Sequence, residues 1–130
     1  MYLFINTVDK SCSSFVIFGG KGEIFFTHEF IDKQEKLIGQ LKAFLKKSKI
    51  IPKNLKGVLV MSGPGSFTAS RAGIVLANSF NFIYKIPVVD AEDRGSGAEE
   101  FIKNNLKKLL KAKKSSTAKV YYSRKPNITI

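Results

Sequence analysis

The pattern of apolar and polar positions changes its period along the chain, and each change marks an element. Tyr2 to Val8 is a short apolar run with aromatic and β-branched residues, which predicts a first strand. Ser14 to Gly19 predicts a second. Gly19-Gly20-Lys21-Gly22 is a tight-turn signal, because glycine reaches positive φ without steric cost. Glu23 to His28 predicts a third strand, with His28 at its end. The short spacing of these runs predicts an antiparallel meander. From Lys33 to Lys47 the period lengthens. Leu37, Ile38, Leu41, Phe44 and Leu45 fall on one helical face with lysines opposite. Asp32 is the expected N-cap, paired with Glu35 three residues on. Ile51-Pro52-Lys53-Asn54 ends that segment. Gly57 to Ser62 is continuously apolar and of strand length, as a buried central strand should be. Gly63-Pro64-Gly65 breaks it, and Ser66 opens a second helix that runs to about Tyr84. Ile86 to Val89 predicts a fifth strand, with Pro87 suited to a sheet edge. Asp90 to Gly97 reads as a polar loop, Ala98 to Lys113 as a third helix, and Lys119 to Ser123 as a short last strand.

Three antiparallel strands followed by strand-helix units give the order β-β-β-α-β-α-β-α. That order describes an α/β protein of the ribonuclease H-like kind, which is also one lobe of an actin-like fold. The expected sheet is mixed and five-stranded, in the order 3-2-1-4-5, with the helices of residues 33–47 and 66–84 together on one side. Residues 1–90 would make this lobe. Residues 91–130 would supply a C-terminal helix and a basic tail packed on the same domain.

Composition narrows the class. A chain of 130 residues fits one domain, and a hydrophobic content of 44% suits a globular one. Apolar runs all fall short of the ~18 residues that a membrane span needs. The apolar opening lacks the basic start of a signal peptide. Cys12 is the lone cysteine, so no intramolecular disulfide can form. A cytoplasmic protein without membrane contact is expected. The net charge of +12 admits two readings. One is a phosphate-binding surface for RNA. The other is a solvated lysine surface, which the excess of lysine over arginine favours, since arginine is the better bidentate recognition residue. No interleaved aromatic-basic motif of an RNA-recognition domain is present.

The most informative string is Ser62-Gly63-Pro64-Gly65-Ser66-Phe67-Thr68-Ala69-Ser70-Arg71-Ala72-Gly73-Ile74. It places a strand, a glycine-rich turn and a helix start in succession. Free backbone N–H groups at such a start can hold an anion, and Ser66 or Thr68 can cap. A plain sharp turn between strand and helix would look the same. The Gly-Lys-Ser/Thr of a nucleotide-hydrolase loop is missing. As a string, the segment resembles the TsaB (YeaZ) family signature at Gly63, Pro64, Gly65, Ser66, Phe67, Thr68, Arg71 and Gly73, and departs from it at Ala69, Ser70 and Ala72. Phe4-Ile5-Asn6-Thr7, Gln34-Glu35-Lys36-Leu37-Ile38 and Lys85-Ile86-Pro87-Val88-Val89 are similar to further family segments, with Asn6 where aspartate is usual. Val120-Tyr121-Tyr122-Ser123-Arg124-Lys125-Pro126 resembles the family's C-terminal stretch. The resemblance therefore implies a reduced form in which most of a second lobe is missing.

That resemblance implies a non-catalytic scaffold that pairs with the catalytic subunit TsaD in tRNA N6-threonylcarbamoyladenosine formation, or pairs with itself, and touches tRNA only through the complex. No cofactor, metal or catalytic residue is expected of this chain. Its only histidine is His28, one imidazole being too few for the histidine-held metal of catalytic relatives, and Asn6 replaces a strand-one carboxylate. Asp90, Glu92 and Asp93 read as a solvated loop, and Cys12 has no histidine beside it in sequence. In the family, the two helices after strands three and four pack against the same helices of the partner as a four-helix bundle. The second helix here is apolar on nearly all sides, through Phe67, Ile74, Val75, Leu76, Phe80, Phe82 and Ile83, so a sheet alone cannot cover it. The expected interface is Leu37, Leu41, Ser70, Ile74 and Ala77. Ala69, Gly73 and Ala77 make a small-residue seam, open to the sheet or to a partner. A small basic RNA-binding module using the lysine-rich third helix and tail, or a homodimer outside tRNA modification, is the alternative. A ribonuclease H-like nuclease fits poorly, for want of carboxylates at strand ends.

Overall fold

The structure, a computed structural model, describes residues 1–8, 12–31, 36–63, 67–92 and 97–118, with the side chains of residues 63 and 67–70 left aside. Five strands are present: β1 (Tyr2–Asn6), β2 (Ser13–Phe18), β3 (Ile24–Phe30), β4 (Gly57–Gly63) and β5 (Val88–Glu92). Three helices accompany them: α1 (Leu37–Lys47), α2 (Phe67–Tyr84) and α3 (Ala98–Leu110). One sheet holds all five strands in the order β3-β2-β1-β4-β5. β1–β2 and β2–β3 pair antiparallel, while β1–β4 and β4–β5 pair parallel. This is the predicted sheet, with β4 inside it.

Side-chain alternation sorts the core into two layers. Leu3 and Ile5 of β1, Phe15 and Ile17 of β2, and Val58 and Val60 of β4 lie on one face, covered by Leu41 and Phe44 of α1 and Ile74 and Phe80 of α2. Phe4, Val16, Phe18, Leu59 and Met61 lie on the other, covered by Phe101, Ile102 and Leu109 of α3. Both faces are buried, which is why β1, β2 and β4 read as unbroken apolar runs. The two earlier helices share one face, as predicted, and α3 takes the opposite one.

Local chemistry explains most boundaries. Gly22 sits at φ +84° in the β2–β3 turn, closed by Gly19 N–H to the Glu23 carbonyl (2.8 Å). α1 ends at Ser48, and the next residue, Lys49, is left-handed at φ 59°. There the Ile50 N–H reaches the Leu45 carbonyl (2.9 Å) and the Lys49 N–H reaches the Lys46 carbonyl (3.1 Å). This is a Schellman ending with lysine where glycine is usual. Some limits differ from expectation. β3 continues past His28 to Phe30, because β2 remains paired out to Ser13. β5 begins at Val88 and runs through Asp90 and Glu92, which the sequence had suggested as loop. Polar residues fit there because β5 is an edge strand, and pairing with β4 extends to Gly63↔Glu92. α3 stops at Leu110, short of Lys113. The Asp32–Glu35 cap and the strand expected at Lys119–Ser123 lie outside the described residues.

After α3 the chain turns back across the sheet edge. The Val88 N–H of β5 donates to the Ser116 carbonyl (2.9 Å). Asn78 of α2 grips Ala118 twice, its Oδ1 accepting from the Ala118 N–H (2.8 Å) and its Nδ2 donating to the Ala118 carbonyl (3.0 Å). Asn81 Nδ2 reaches the Ile86, Lys114 and Ser116 carbonyls. Residues 114–118 thus strap the α3 side to the α2 side, and Ala118 is buried in the α1–α2 layer.

Candidate functional site

The signature string begins at the end of β4 and passes into α2. Pro64, Gly65 and Ser66 lie outside the described residues, as do the side chains of Phe67, Thr68 and Ser70. Of the signature residues farther along, Gly73 has a clear structural role. A Cβ at this position would collide with the Thr7 hydroxyl and stand 3.3 Å from its Cγ2. Thr7 is buried just past the end of β1. Glycine therefore lets α2 cross β1 at close range. Ala77, one turn on, is fully buried. At Gly73 and Ala77 the small-residue seam faces the chain's own sheet, not a partner.

The interface expectation changes accordingly. Leu37, Leu41, Ile74 and Ala77 are all buried in the layer between helices and sheet. These residues belong to the stripe that the sheet itself covers, with Leu37 also reaching the groove between the helices. The outward apolar side chains are offset from that stripe by about one residue: Ile38 on α1, 58% exposed, and Val75 and Phe82 on α2, 61% and 80% exposed. Ile83 is exposed beside Phe82. Val75 and Phe82 are seven residues apart, two turns along one helical line. A helix apolar all round signals a second partner, but not which residues remain once the sheet has taken its share.

Between α1 and α2 lies an open groove of about 430 Å³, lined by Leu37, Ile38, Arg71, Ala72, Val75, Leu76 and Ser79. Its floor is apolar, and exposed Arg71 stands at its edge. A pair of helices with such a groove between them can take a third helix or a second pair by ridge-into-groove packing. This segment carries the sequence likeness too. The family described as TsaD: tRNA N6-adenosine threonylcarbamoyltransferase matches residues 32–92, which hold α1, β4, α2 and β5. YeaZ from Pseudomonas aeruginosa superimposes with a TM-score of 0.62 at 19% identity, over 71% of this chain and 42% of that one.

In fold, the chain is YeaZ-like. A second solved structure, an uncharacterized protein with similarity to peptidase YeaZ from Pseudomonas aeruginosa, gives the same TM-score and identity over 71% of this chain and 43% of its own. The YeaZ-like chain thus spans about two-fifths of the length of both. No curated protein matches it significantly in sequence.

The remaining candidate residues sit apart from the groove. The Asn6 Oδ1 accepts from the Val8 N–H (3.1 Å), closing a turn at the end of β1. His28 Nε2 pairs with Gln40 Oε1 (2.9 Å), and its ring stacks on Phe30 and Phe44, joining β3 to α1. Cys12 is a partly exposed free thiol. Among the described residues no group of three or more His, Cys, Asp or Glu side chains gathers as a metal site would require, and no helix is long and apolar enough to cross a membrane.

Proposed function

We propose that this YeaZ-like chain is a non-catalytic subunit in the formation of N6-threonylcarbamoyladenosine in tRNA, docking through the outer groove of α1 and α2 onto a TsaD-like subunit. The observation that carries this is the exposed line Ile38–Val75–Phe82 on the helix pair that also bears the TsaD-family likeness. Apolar side chains at this exposure are costly to leave in water, at roughly 25 cal/mol per Å². Exposed apolar side chains gathered on neighbouring helices mark an interaction surface, and Ile38 and Val75 line the groove together. A non-catalytic role is supported by the residues themselves. The chain has one histidine, held by Gln40, and the strand-one position offers the amide of Asn6, not a carboxylate. The same groove would serve a second copy of the chain, by two-fold packing of the same faces.

The test is co-purification with the TsaD of the same organism, followed by reconstitution of the modification. The expected result is a stable heterodimer that Val75→Glu or Phe82→Glu dissolves while the chain stays folded. A chain that remains monomeric at high concentration and ignores TsaD would refute the proposal.

A further inference from the structure

A second cavity, of about 260 Å³, opens on the other side of α1, where that helix faces the sheet-edge strand β3. Its walls include Phe26, His28 and Phe44, with Thr27, Gln40, Lys47 and Ser48 supplying further polar groups. The His28 and Phe44 rings lie nearly parallel, 17° apart at 5.8 Å between centroids. Phe26 is 41% exposed at the mouth. Among the described residues no carboxylate, Glu29 included, lines the cavity. Lys46, Lys47 and Lys49 are exposed around the end of α1 and make no ion pair among the described residues.

Two features decide what kind of ligand fits. The volume falls slightly below the ~300 Å³ lower end for drug-sized sites, so it suits one planar ring system. The cavity also runs along α1 from Gln40 to Ser48, and besides Lys47 its polar groups are the hydroxyls of Thr27 and Ser48, the amide of Gln40 and the ring of His28. Such a lining suits an uncharged ring inside, with negative charge at the rim, on Lys46 and Lys47 in the last turn of α1 and Lys49 just after it. An uncharged ring with hydrogen-bonding edges, attached to a phosphate chain, meets both conditions.

We propose that this cavity binds a base of a single-stranded nucleic acid, with Phe26 as stacking face, the His28–Gln40 pair and Ser48 at the base edge, and Lys46, Lys47 and Lys49 on the flanking phosphates. Stacking on exposed aromatics with a basic rim is the general way in which single strands are held. The site is separate from the α1–α2 groove and stands whether or not that groove binds TsaD.

The experiment is fluorescence polarisation of the full chain with a labelled oligoadenylate across a salt series. Phe26→Ala is expected to weaken binding by about tenfold or more with an unchanged salt slope, since it removes stacking and no charge. Phe26→Tyr, which keeps the ring, should retain affinity. Lys47→Met should weaken binding and flatten the plot of log affinity against log salt by about 0.7, the single-strand value for one lost phosphate contact. Lys103→Met, on α3, should change nothing. Absence of binding, equal loss in the Lys103 variant, or wild-type binding by Phe26→Ala would each overturn the proposal. So would a dimer of the parent chain that Phe26→Ala converts to monomer, because β3 would then be pairing with a second copy.

Discussion

Gly73→Ala is the sharpest probe of how α2 sits on the sheet. In a free helix this change is favourable by about 1 kcal/mol, because alanine restricts the unfolded chain and favours the helix. Here the new Cβ meets the Thr7 hydroxyl at less than contact distance and Cγ2 at 3.3 Å. Thr7 is buried and belongs to the turn after the central strand, so it cannot swing away. Overpacking of that kind costs about 1–3 kcal/mol, which at most positions exceeds the helix gain. We expect a net loss of about 1–2 kcal/mol, or roughly 4–7 °C in Tm for a domain of this size. Urea unfolding followed by circular dichroism measures it. The control is Thr7→Ala, which removes both clashing atoms. In that background Gly73→Ala should recover at least about 1 kcal/mol, a coupling that a double-mutant cycle reads directly. If Gly73→Ala is as stable as the parent, or is equally harmful with Thr7→Ala, the close crossing of α2 over β1 is wrong. Gly73→Leu should fail to fold, and so cannot report on a partner.

Other expectations are quick to check. Phe82→Ser, at an exposed position, should change the unfolding free energy from urea titration by less than about 0.5 kcal/mol while weakening any complex seen by light scattering. Asn78→Leu leaves both backbone groups of Ala118 without their partner, and should cost about 2–3 kcal/mol and speed tryptic cleavage at Lys113 and Lys114. Lys49→Gly should stabilise by up to about 1 kcal/mol, because a left-handed residue at the α1 terminus suits glycine better; a loss of stability would argue against that geometry.

The sheet was legible because its signals are local and repeated. Unbroken apolar runs at β1, β2 and β4 announce strands buried on both faces, and their spacing fixes which neighbours are antiparallel. Edges were less legible. β5 begins after Pro87 and continues through Asp90 and Glu92, where polarity suggested a loop, because an edge strand needs apolar residues only where a helix covers it. The candidate interface was legible as a property of α2 but not as a set of residues. A helix apolar on all sides must have two partners, yet composition does not say which side chains each partner takes. Ile74 and Ala77 went to the sheet, and Val75 and Phe82 were left over. The strap at residues 114–118 was illegible in principle, since Asn78 and Asn81 carry no periodic signal and their partners lie some 40 and 33–35 residues away.

That strap changes how the domain comes apart. Two apolar layers joined only through a shared sheet could melt independently, with α3 peeling from its face while α1 and α2 stayed in place. Asn78 and Asn81 restrict this freedom, because they anchor the chain just after α3 to the layer on the opposite side. A helix that would otherwise be peripheral becomes part of a single cooperative unit. Opening the α3 side then strains the anchored strap, and a partner that grips the α1–α2 face also steadies the helix on the far side of the sheet.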